Sequence, residues 1–357
     1  MVDDSAQLLR PMMPELNVLR GCACLAVLAW HGLSVYTREG AMGVEGAIHT
    51  ITSGGHYGVN LFFVLSGLLI TNILLNERER PDYFVRFYKR RALRILPAYY
   101  SMLILLALYG LPPAFLGLSF LHVANMVPLL GVPMAYGPFW SLAVEEQFYA
   151  LWPQLVRRIR VRSLVAMLLA VIPLSISLDW QMGETRWAWM TLPYSLHGLA
   201  IGALLAVYLR SASRRGACWL AVGVASFGVL GLLWLRGPVG RQIGWECVFA
   251  AGIVAALLAG TSGLEAWTRP RWLLFFGEIS YGLYLVHVLV FAMYRRLVFV
   301  NGDLSSTLRQ FVVCSAVSIA LATASRFSME AWFLSLKDKP LKRYVTTAYA
   351  ACRTRFA

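Results

Sequence analysis

The sequence predicts an all-α fold: a polytopic membrane helix bundle of about ten transmembrane helices. Of the 357 residues, 59% are hydrophobic and only 14% are charged, whereas about 25% of the residues of a soluble domain are charged. The mean hydropathy is +0.62. The apolar residues form uncharged runs such as Leu164–Leu178 and Ala217–Leu235, close to the roughly 20 residues that cross a bilayer as a helix. Composition and run length together predict a membrane protein.

Ten segments have the length and apolar character of membrane-spanning helices. They are Leu19–Tyr36, Val59–Leu75, Ile95–Leu111, Trp140–Val156, Leu164–Leu178, Met190–Leu209, Ala217–Leu235, Ile243–Gly260, Leu273–Tyr294 and Phe311–Ala324. No internal repeat links the two halves, and no stretch resembles a soluble domain or a cleavable signal. The expected organisation is one membrane domain over residues 1–340, followed by a short basic cytoplasmic tail over residues 341–357.

The positive charges alternate between successive connections. The loop 76–94 contains seven Arg and Lys residues, and the next connection, 112–139, contains none. Arginine clusters return at 157–162 and 210–215, and lysines follow the last predicted span. Because Lys and Arg are enriched in cytoplasmic loops, this pattern predicts that both termini face the cytoplasm. The same bias, together with anionic lipid headgroups, accounts for the net charge of +14 without nucleic acid.

The uncharged stretch 114–131 is long enough to be an eleventh span, but a span there would break the charge alternation. Pro112, Pro113, Pro128 and Pro133 favour an irregular path. We therefore expect a re-entrant or interfacial segment that packs on protein.

The six cysteines are scattered, and none forms a CxxC pair or a Cys/His zinc spacing. The sequence therefore predicts free thiols and no metal site.

Ionisable side chains inside the predicted spans are costly in a bilayer, so each needs a reason. Arg20 and His31 lie eleven residues apart in the first span, which puts them on one helix face about 16 Å apart. A snorkelling anchor and an interfacial histidine are the plain alternative.

Three further titratable groups lie in the fourth and ninth predicted spans. Glu145 and Glu146 occupy the outer third of the fourth, where one of them could simply cap the helix dipole. His287 lies in the outer half of the ninth, where a bond to a backbone carbonyl is the simpler reading. The predicted depths of His31, Glu145 and His287 agree, which favours a polar cavity that opens outward.

The basic run Arg86–Tyr100 leads into the third span from the predicted cytoplasmic side. Its charge could be purely topogenic. Alternatively, Arg90, Arg91 and Arg94 form a phosphate-binding rim, since a guanidinium offers planar contacts with several donors.

Five stretches carry a resemblance to a known family, and they spread over most of the chain: LRGCACLAVLAWHG (19–32), GVNLFFVLSGLLIT (58–71), FYKRRALRILPAYY (87–100), WSLAVEEQFYALWP (140–153) and ISYGLYLVH (279–287). Together they resemble the acyltransferase-3 family of integral-membrane O-acyltransferases, of the bacterial O-acetyltransferase type. The resemblance implies transfer of an acyl group, acetyl above all, from cytoplasmic acyl-CoA to a glycan or another hydroxyl acceptor, such as a macrolide or a lipid-linked saccharide. It also implies the bacterial inner membrane.

The family's motif residues match this chain residue by residue. The first-span pair matches Arg20 and His31, and the basic motif matches Arg90, Arg91 and Arg94. The fourth-span glutamate matches Glu145, and the ninth-span motif matches Tyr284 and His287. Our hypothesis assigns Arg20 and the three basic-motif arginines to acyl-CoA, His31 and Glu145 to catalysis, and Tyr284 and His287 to substrate binding.

The chain departs from the family pattern at Asn17 and Asn60, where relatives often have an acidic residue, and Asn can neither act as a base nor fully pair with Arg. The sequence also ends soon after the last predicted span, so we expect no relay through an appended soluble domain.

We expect acyl-CoA to act as a co-substrate rather than a bound cofactor. His31 is the expected general base on the acceptor hydroxyl, and Glu145 orients the imidazole or binds the acceptor. A transporter or flippase of a lipid-linked saccharide is the rival class, because it too needs charges inside the membrane and an outward cavity. A membrane scaffold or receptor is a third reading. The sequence predicts neither the oligomeric state nor the identity of the acceptor.

Overall fold

The computed structural model describes residues 8–182, 190–234, 238–262, 264, 268–298 and 303–337. Over these residues the chain is helical and contains no strand. The predicted basic tail, 341–357, lies outside the described residues.

Thirteen α-helices lie within the described ranges. They are α1 (Pro14–Gly32), α2 (Gly43–Ser53), α3 (Gly58–Glu77), α4 (Tyr83–Tyr109), α5 (Pro113–Phe120), α6 (Phe139–Arg158), α7 (Val161–Met182), α8 (Leu192–Leu209), α9 (Arg214–Trp234), α10 (Pro238–Ala259), α11 (Arg271–Leu297), α12 (Leu304–Ser325) and α13 (Ala331–Ser335). Each of the ten predicted spans overlaps one of these helices.

Seven helical stretches are long and apolar enough to cross a membrane within the described chain: Pro14–Tyr36, Gly43–Glu77, Tyr83–Tyr109, Arg214–Trp234, Val239–Ala259, Arg271–Leu297 and Leu304–Ser335. Shorter apolar stretches occur at Val161–Ser175 and Ser195–Leu209. Glu145 and Glu146 lower the hydropathy of α6, which is 20 residues long. The chain is therefore a multi-pass membrane protein, while the crossing of α6, α7 and α8 and the cytoplasmic termini stay predictions.

The stretch 114–131 does not form a helix long enough to span. It is broken into the eight-residue helix α5 and a 3₁₀ helix, Ala124–Leu130, with His122 at a positive φ of 56° between them. The stretch packs on protein, because the Tyr99 hydroxyl donates to the Ser119 carbonyl at 2.8 Å and the Gln147 amide donates to the His122 carbonyl at 3.1 Å. An irregular path was expected from the prolines, and the structure has one.

Glycines allow close helix contacts in the bundle. A Cβ atom on Gly67 of α3 would lie 2.1 Å from the Leu199 carbonyl oxygen of α8, and one on Gly202 of α8 would lie 2.0 Å from the Val64 oxygen. Small residues at such contacts let helix backbones approach closely. In a bilayer this packing drives helix association, because lipid tails are as apolar as the side chains and burial gives no hydrophobic gain. Helix α3 forms one wall of the site described next.

Candidate active site

Helices α1 and α11 run parallel and in constant register. The Cys24 thiol lies 3.5 Å from the Ser280 carbonyl oxygen, and the His31–His287 pair has the same separation of 256 residues in sequence. Two glycines set this register: a Cβ on Gly21 would lie 2.4 Å from the Leu273 oxygen, and one on Gly277 would lie 2.0 Å from the Asn17 oxygen. The close backbone contact therefore brings two histidines from distant parts of the sequence together.

The two histidines form a hydrogen-bonded pair with an assigned direction. The Nδ1 atom of His287 lies 3.0 Å from the Leu283 carbonyl oxygen and must carry its proton there, since a carbonyl only accepts. Its Nε2 atom then accepts from Nδ1 of His31 at 3.1 Å, and that N–H also lies 3.1 Å from the Val27 oxygen. This network leaves Nε2 of His31 as an unprotonated nitrogen that can accept a proton.

His287 is 1% exposed, so it lies behind His31. His287 makes the bond to a backbone carbonyl that was the simpler interpretation, with Leu283 as its partner. It also makes a hydrogen bond to His31. The structure thus places His287, and not Glu145, against the His31 imidazole.

A pair of hydroxyls, those of Tyr284 and Ser141, lies near the histidine pair. Tyr284 precedes His287 by about one turn of α11, on the side of the bundle where α1 begins. The Tyr284 and Ser141 oxygens are 2.6 Å apart, and Ser141 donates to the Pro138 carbonyl at 3.3 Å. The Tyr284 ring centroid lies 5.9 Å from that of His287. A polar hydroxyl therefore lies just below the histidine pair.

Glu145 lies one helical turn beyond Ser141 on α6. Its carboxylate accepts from the Ser66 hydroxyl at 2.8 Å and from the Tyr149 hydroxyl at 3.2 Å. The Arg91 guanidinium stacks over the Tyr149 ring at 4.6 Å. One helical turn rises about 5.4 Å, so Glu145 lies about one turn further from the histidine pair than Ser141 does. The expected common level of Glu145 and His31 is therefore wrong.

A cavity of about 450 Å³ extends from the arginines to the Ser141 and Tyr284 hydroxyls. His31 and His287 are not among the described residues that line it. Three of the predicted acyl-CoA ligands, Arg20, Arg91 and Arg94, line it together with Glu145 and Tyr284. Its other polar lining residues are Asn17, Ser66, Ser141, Glu146, Tyr149, Ser280 and Tyr281.

Arg90 is not among the lining residues that the described chain contributes. Its guanidinium lies 3.8 Å from a Glu77 carboxylate oxygen, which also accepts from Arg86 at 2.8 Å. Of the three basic-motif arginines, the structure thus brings two to the cavity and turns one towards its neighbouring helix.

A second buried polar cluster joins α3, α8 and α10. Asn60 donates to one Glu246 oxygen at 2.7 Å, and Nδ1 of His197 lies 2.5 Å from the other. Both His197 and Glu246 are 0% exposed. Asn60, one of the two departures from the family pattern, therefore serves as a hydrogen-bond donor, and Asn17, the other, lines the cavity.

Several residues of the site escaped the sequence reading. Ser141, Glu145 and Tyr149 are spaced by four residues, which puts them on one helix face, so the spacing could have identified Ser141 and Tyr149. Ser66 is hidden in an apolar run, and nothing local identifies it. His197 and Glu246 are single polar residues in separate spans, although their cost in a membrane was a usable signal.

The relatives of this chain include proteins named as acyltransferases. The chain is 34% identical over 164 residues to the peptidoglycan O-acetyltransferase OatA of Listeria monocytogenes, which covers 40% of this chain and 24% of that protein. It is 27% identical over 332 residues to the O-acetyltransferase OatA of Staphylococcus aureus, covering 81% of this chain and 51% of the relative.

The acyltransferase MdmB of Streptomyces mycarofaciens is 28% identical over 343 residues, covering 87% of this chain and 86% of that protein. The chain thus spans only 24% and 51% of the two OatA proteins but most of MdmB. No solved structure matches the chain.

The family comparison covers most of the chain. The acyltransferase-3 family model, described as an acyltransferase domain, matches residues 13–326. The match includes the histidine pair and the three arginines that line the cavity. The chain therefore belongs to the acyltransferase-3 family.

Proposed function

We propose that this protein is a membrane O-acetyltransferase, which transfers an acetyl group from cytoplasmic acetyl-CoA to a hydroxyl of a glycan or glycoconjugate across the bacterial inner membrane. The observation that carries the proposal is the cavity that joins three arginines to the Tyr284 hydroxyl just below the His31–His287 pair. The relatives' names support the acetyl group and the glycan, since two are called O-acetyltransferases and one is named for peptidoglycan.

In this proposal ten helices cross the membrane, and both termini are cytoplasmic. The arginine-rich stretch 76–94, which includes the first turns of α4, then lies on the cytoplasmic side, as positive-inside bias requires. Helix α6 crosses despite Glu145 and Glu146 because these side chains line the cavity and need not face lipid.

Arg20, Arg91 and Arg94 hold the phosphates of acetyl-CoA, which is a co-substrate and not a resident cofactor. Guanidinium groups make strong, charge-assisted bonds to phosphate oxygens. Arg90 is not part of this set, because its guanidinium lies beside Glu77 and away from the cavity. The pantetheine arm follows the cavity past Glu145 and brings the thioester to Tyr284.

His31 acts as the general base in a direct transfer. Its Nε2 atom takes the proton of the acceptor hydroxyl while the hydroxyl oxygen attacks the thioester carbonyl carbon. The carbon–sulfur bond breaks, and the sulfur leaves with that electron pair and takes the proton back from His31. The products are an acetyl ester and the free thiol of CoA, with no net proton change. General base catalysis of this kind contributes about 10²–10⁴-fold.

The neighbouring groups assist this step. His287 holds His31 in the tautomer with a free Nε2. The Tyr284 hydroxyl turns its proton from Ser141 to the thioester carbonyl oxygen as that oxygen gains negative charge. Glu145, held by Ser66 and Tyr149, faces the arginine cluster and orders it when no donor is bound.

The second candidate is a transporter of a lipid-linked saccharide, which the same intramembrane charges would suit. The test uses the purified protein in lipid nanodiscs with [¹⁴C]acetyl-CoA and muramidase-solubilised peptidoglycan fragments. Label in the glycan and free CoA thiol are measured together.

Acetyl ester and thiol that appear in a 1:1 ratio support the transferase. Saccharide that crosses proteoliposome membranes without any thiol release supports the transporter and contradicts our proposal.

A further inference from the structure

Aromatic rings run in a continuous array from His31. We call the side chains of Trp30, His56, Tyr57 and Trp245 the aromatic array. The Trp30 centroid lies 4.4 Å from that of His31 and 5.5 Å from that of His56. His56 and Tyr57 are 4.0 Å apart, and Tyr57 stacks on Trp245 at 5.3 Å and 30°.

The array lies at the end of the bundle away from the arginines. Trp30 is in the last turn of α1, Tyr57 directly precedes α3, and Trp245 is in the second turn of α10. Arg20, in contrast, lies in the first two turns of α1. An acceptor that reaches His31 over the array therefore approaches from the side opposite to the proposed donor site.

The array is rigidly held. A Cβ on Gly55 would lie 2.2 Å from the Ala26 carbonyl oxygen, and one on Gly58 would lie 2.6 Å from the Ala23 oxygen. These contacts pack the turn that contains His56 and Tyr57 against α1. The contact at Ala26 lies about one helical turn from Trp30. A preformed surface loses little conformational entropy when a ligand binds.

The array is accessible and has polar edges. His56 is exposed, while Trp30, Tyr57 and Trp245 are half-buried. Arg241, exposed on the first turn of α10, acts electrostatically on both His56 and Tyr57. Indole, imidazole, phenol and guanidinium groups thus offer hydrogen bonds along a surface made of ring faces.

This combination suits a sugar better than a lipid. Aromatic residues that anchor a protein at the membrane interface need only reach the headgroups, whereas these rings pack on one another in a line that ends at His31. A pyranose has C–H groups for aromatic faces and hydroxyls for polar edges, and Trp and Tyr supply both apolar area and a donor.

We propose that the aromatic array is the acceptor subsite, and that it binds a sugar ring whose hydroxyl is thereby presented to His31. This inference rests on the proposed function, because it takes His31 as the reacting base. It adds the class of the acceptor and the residues that recognise it.

The test separates binding from chemistry by working in the His31→Ala background. Isothermal titration calorimetry on nanodisc protein measures the affinity for two probes, chitotetraose and muramidase-solubilised peptidoglycan fragments. The variants are Tyr57→Ala and Trp245→Ala, with Trp245→Phe as the version that keeps a ring. Trp219→Ala is the control, since Trp219 is 76% exposed on α9 and lies outside the array.

We expect the His31→Ala protein to bind at least one probe, and each Ala substitution in the array to weaken this binding about tenfold, or about 1.4 kcal/mol. The Trp245→Phe and Trp219→Ala proteins keep the affinity within about threefold. Equal affinities in the Tyr57→Ala, Trp245→Ala and Trp219→Ala proteins overturn the subsite, as does a lack of binding to both probes. Acetyl transfer by the wild type is scored separately, so a failure of the proposed function shows as absent transfer with oligosaccharide binding intact.

Discussion

Nε2 of His287 lies 3.1 Å from Nδ1 of His31, although the two residues are 256 positions apart in the sequence. The bond fixes which nitrogen of His31 is free, because His287 already donates from its own Nδ1 to the Leu283 carbonyl. His287 is therefore a positioning residue for the proposed base.

This role predicts a selective loss of turnover. Replacing His287 by Phe removes the side-chain acceptor of the His31 Nδ1 proton and leaves only the Val27 carbonyl. We expect kcat to fall about 100-fold, within the range of general base catalysis, with the acceptor KM unchanged. His287→Gln supplies an amide oxygen in a similar place and recovers part of the rate. Steady-state kinetics with [¹⁴C]acetyl-CoA measures both parameters. Equal kcat values for the Phe and Gln proteins would argue against tautomer control.

The register of α1 against α11 predicts an intolerant glycine. An alanine at Gly277 puts Cβ 2.0 Å from the Asn17 oxygen, so the helices must separate. We expect the free energy of unfolding to fall by about 1–3 kcal/mol, the usual cost of overpacking, together with acetyl transfer.

Gly252→Ala in α10 is the matched control, since a Cβ there meets nothing within 4 Å. Thermal unfolding in detergent compares the two proteins. Equal stability of the two variants contradicts the close α1–α11 contact.

Substitution of an arginine that lines the cavity should weaken acetyl-CoA binding more than substitution of Arg90, which does not line it. Arg91→Gln removes a guanidinium beside the cavity, and we expect the KM for acetyl-CoA to rise about tenfold, because bonds to charged groups contribute about 1.5–3 kcal/mol. Arg90→Gln, which alters a group directed at Glu77, should change this KM less than threefold. The initial rate of thiol release against acetyl-CoA concentration measures both. The reverse order would move the donor away from the cavity.

The buried cluster of Asn60, Glu246 and His197 predicts a charge conflict. Asn60→Asp sets a second carboxylate beside the Glu246 oxygen that now accepts at 2.7 Å. We expect a loss of about 3 kcal/mol in unfolding free energy, because the two buried carboxylates face each other without a compensating charge.

The double variant Asn60→Asp, Glu246→Gln again has one carboxylate and one amide, so it should recover most of the loss. Thermal unfolding tests both proteins, and a double variant no more stable than Asn60→Asp would refute the pairing.

Much of the helical layout could be predicted from the sequence, because the apolar runs and their length are local properties. The irregular stretch 114–131 was predictable for the same reason, since proline constrains its own backbone. His31 could be chosen as a candidate because a titratable group in a membrane helix is costly.

The contacts between helices could not be predicted. Gly21 and Gly277 look like ordinary helical glycines until the backbone they touch is known. Glu145 and His31 appeared to share a level because depth was counted from helix ends, whereas Glu145 bonds to Ser66 and Tyr149. The position of a side chain in such a bundle depends on helix tilt and packing, which local periodicity does not encode.

The most direct test of the account is acetyl transfer by the His31→Ala protein. Nanodisc protein is mixed with [¹⁴C]acetyl-CoA and peptidoglycan fragments, and label in the glycan is compared with the wild type at matched protein concentration. The account predicts a rate at least about 100-fold lower, with acetyl-CoA binding unchanged by equilibrium dialysis. Transfer at the wild-type rate would contradict it, since no group other than His31 has been assigned to remove the hydroxyl proton.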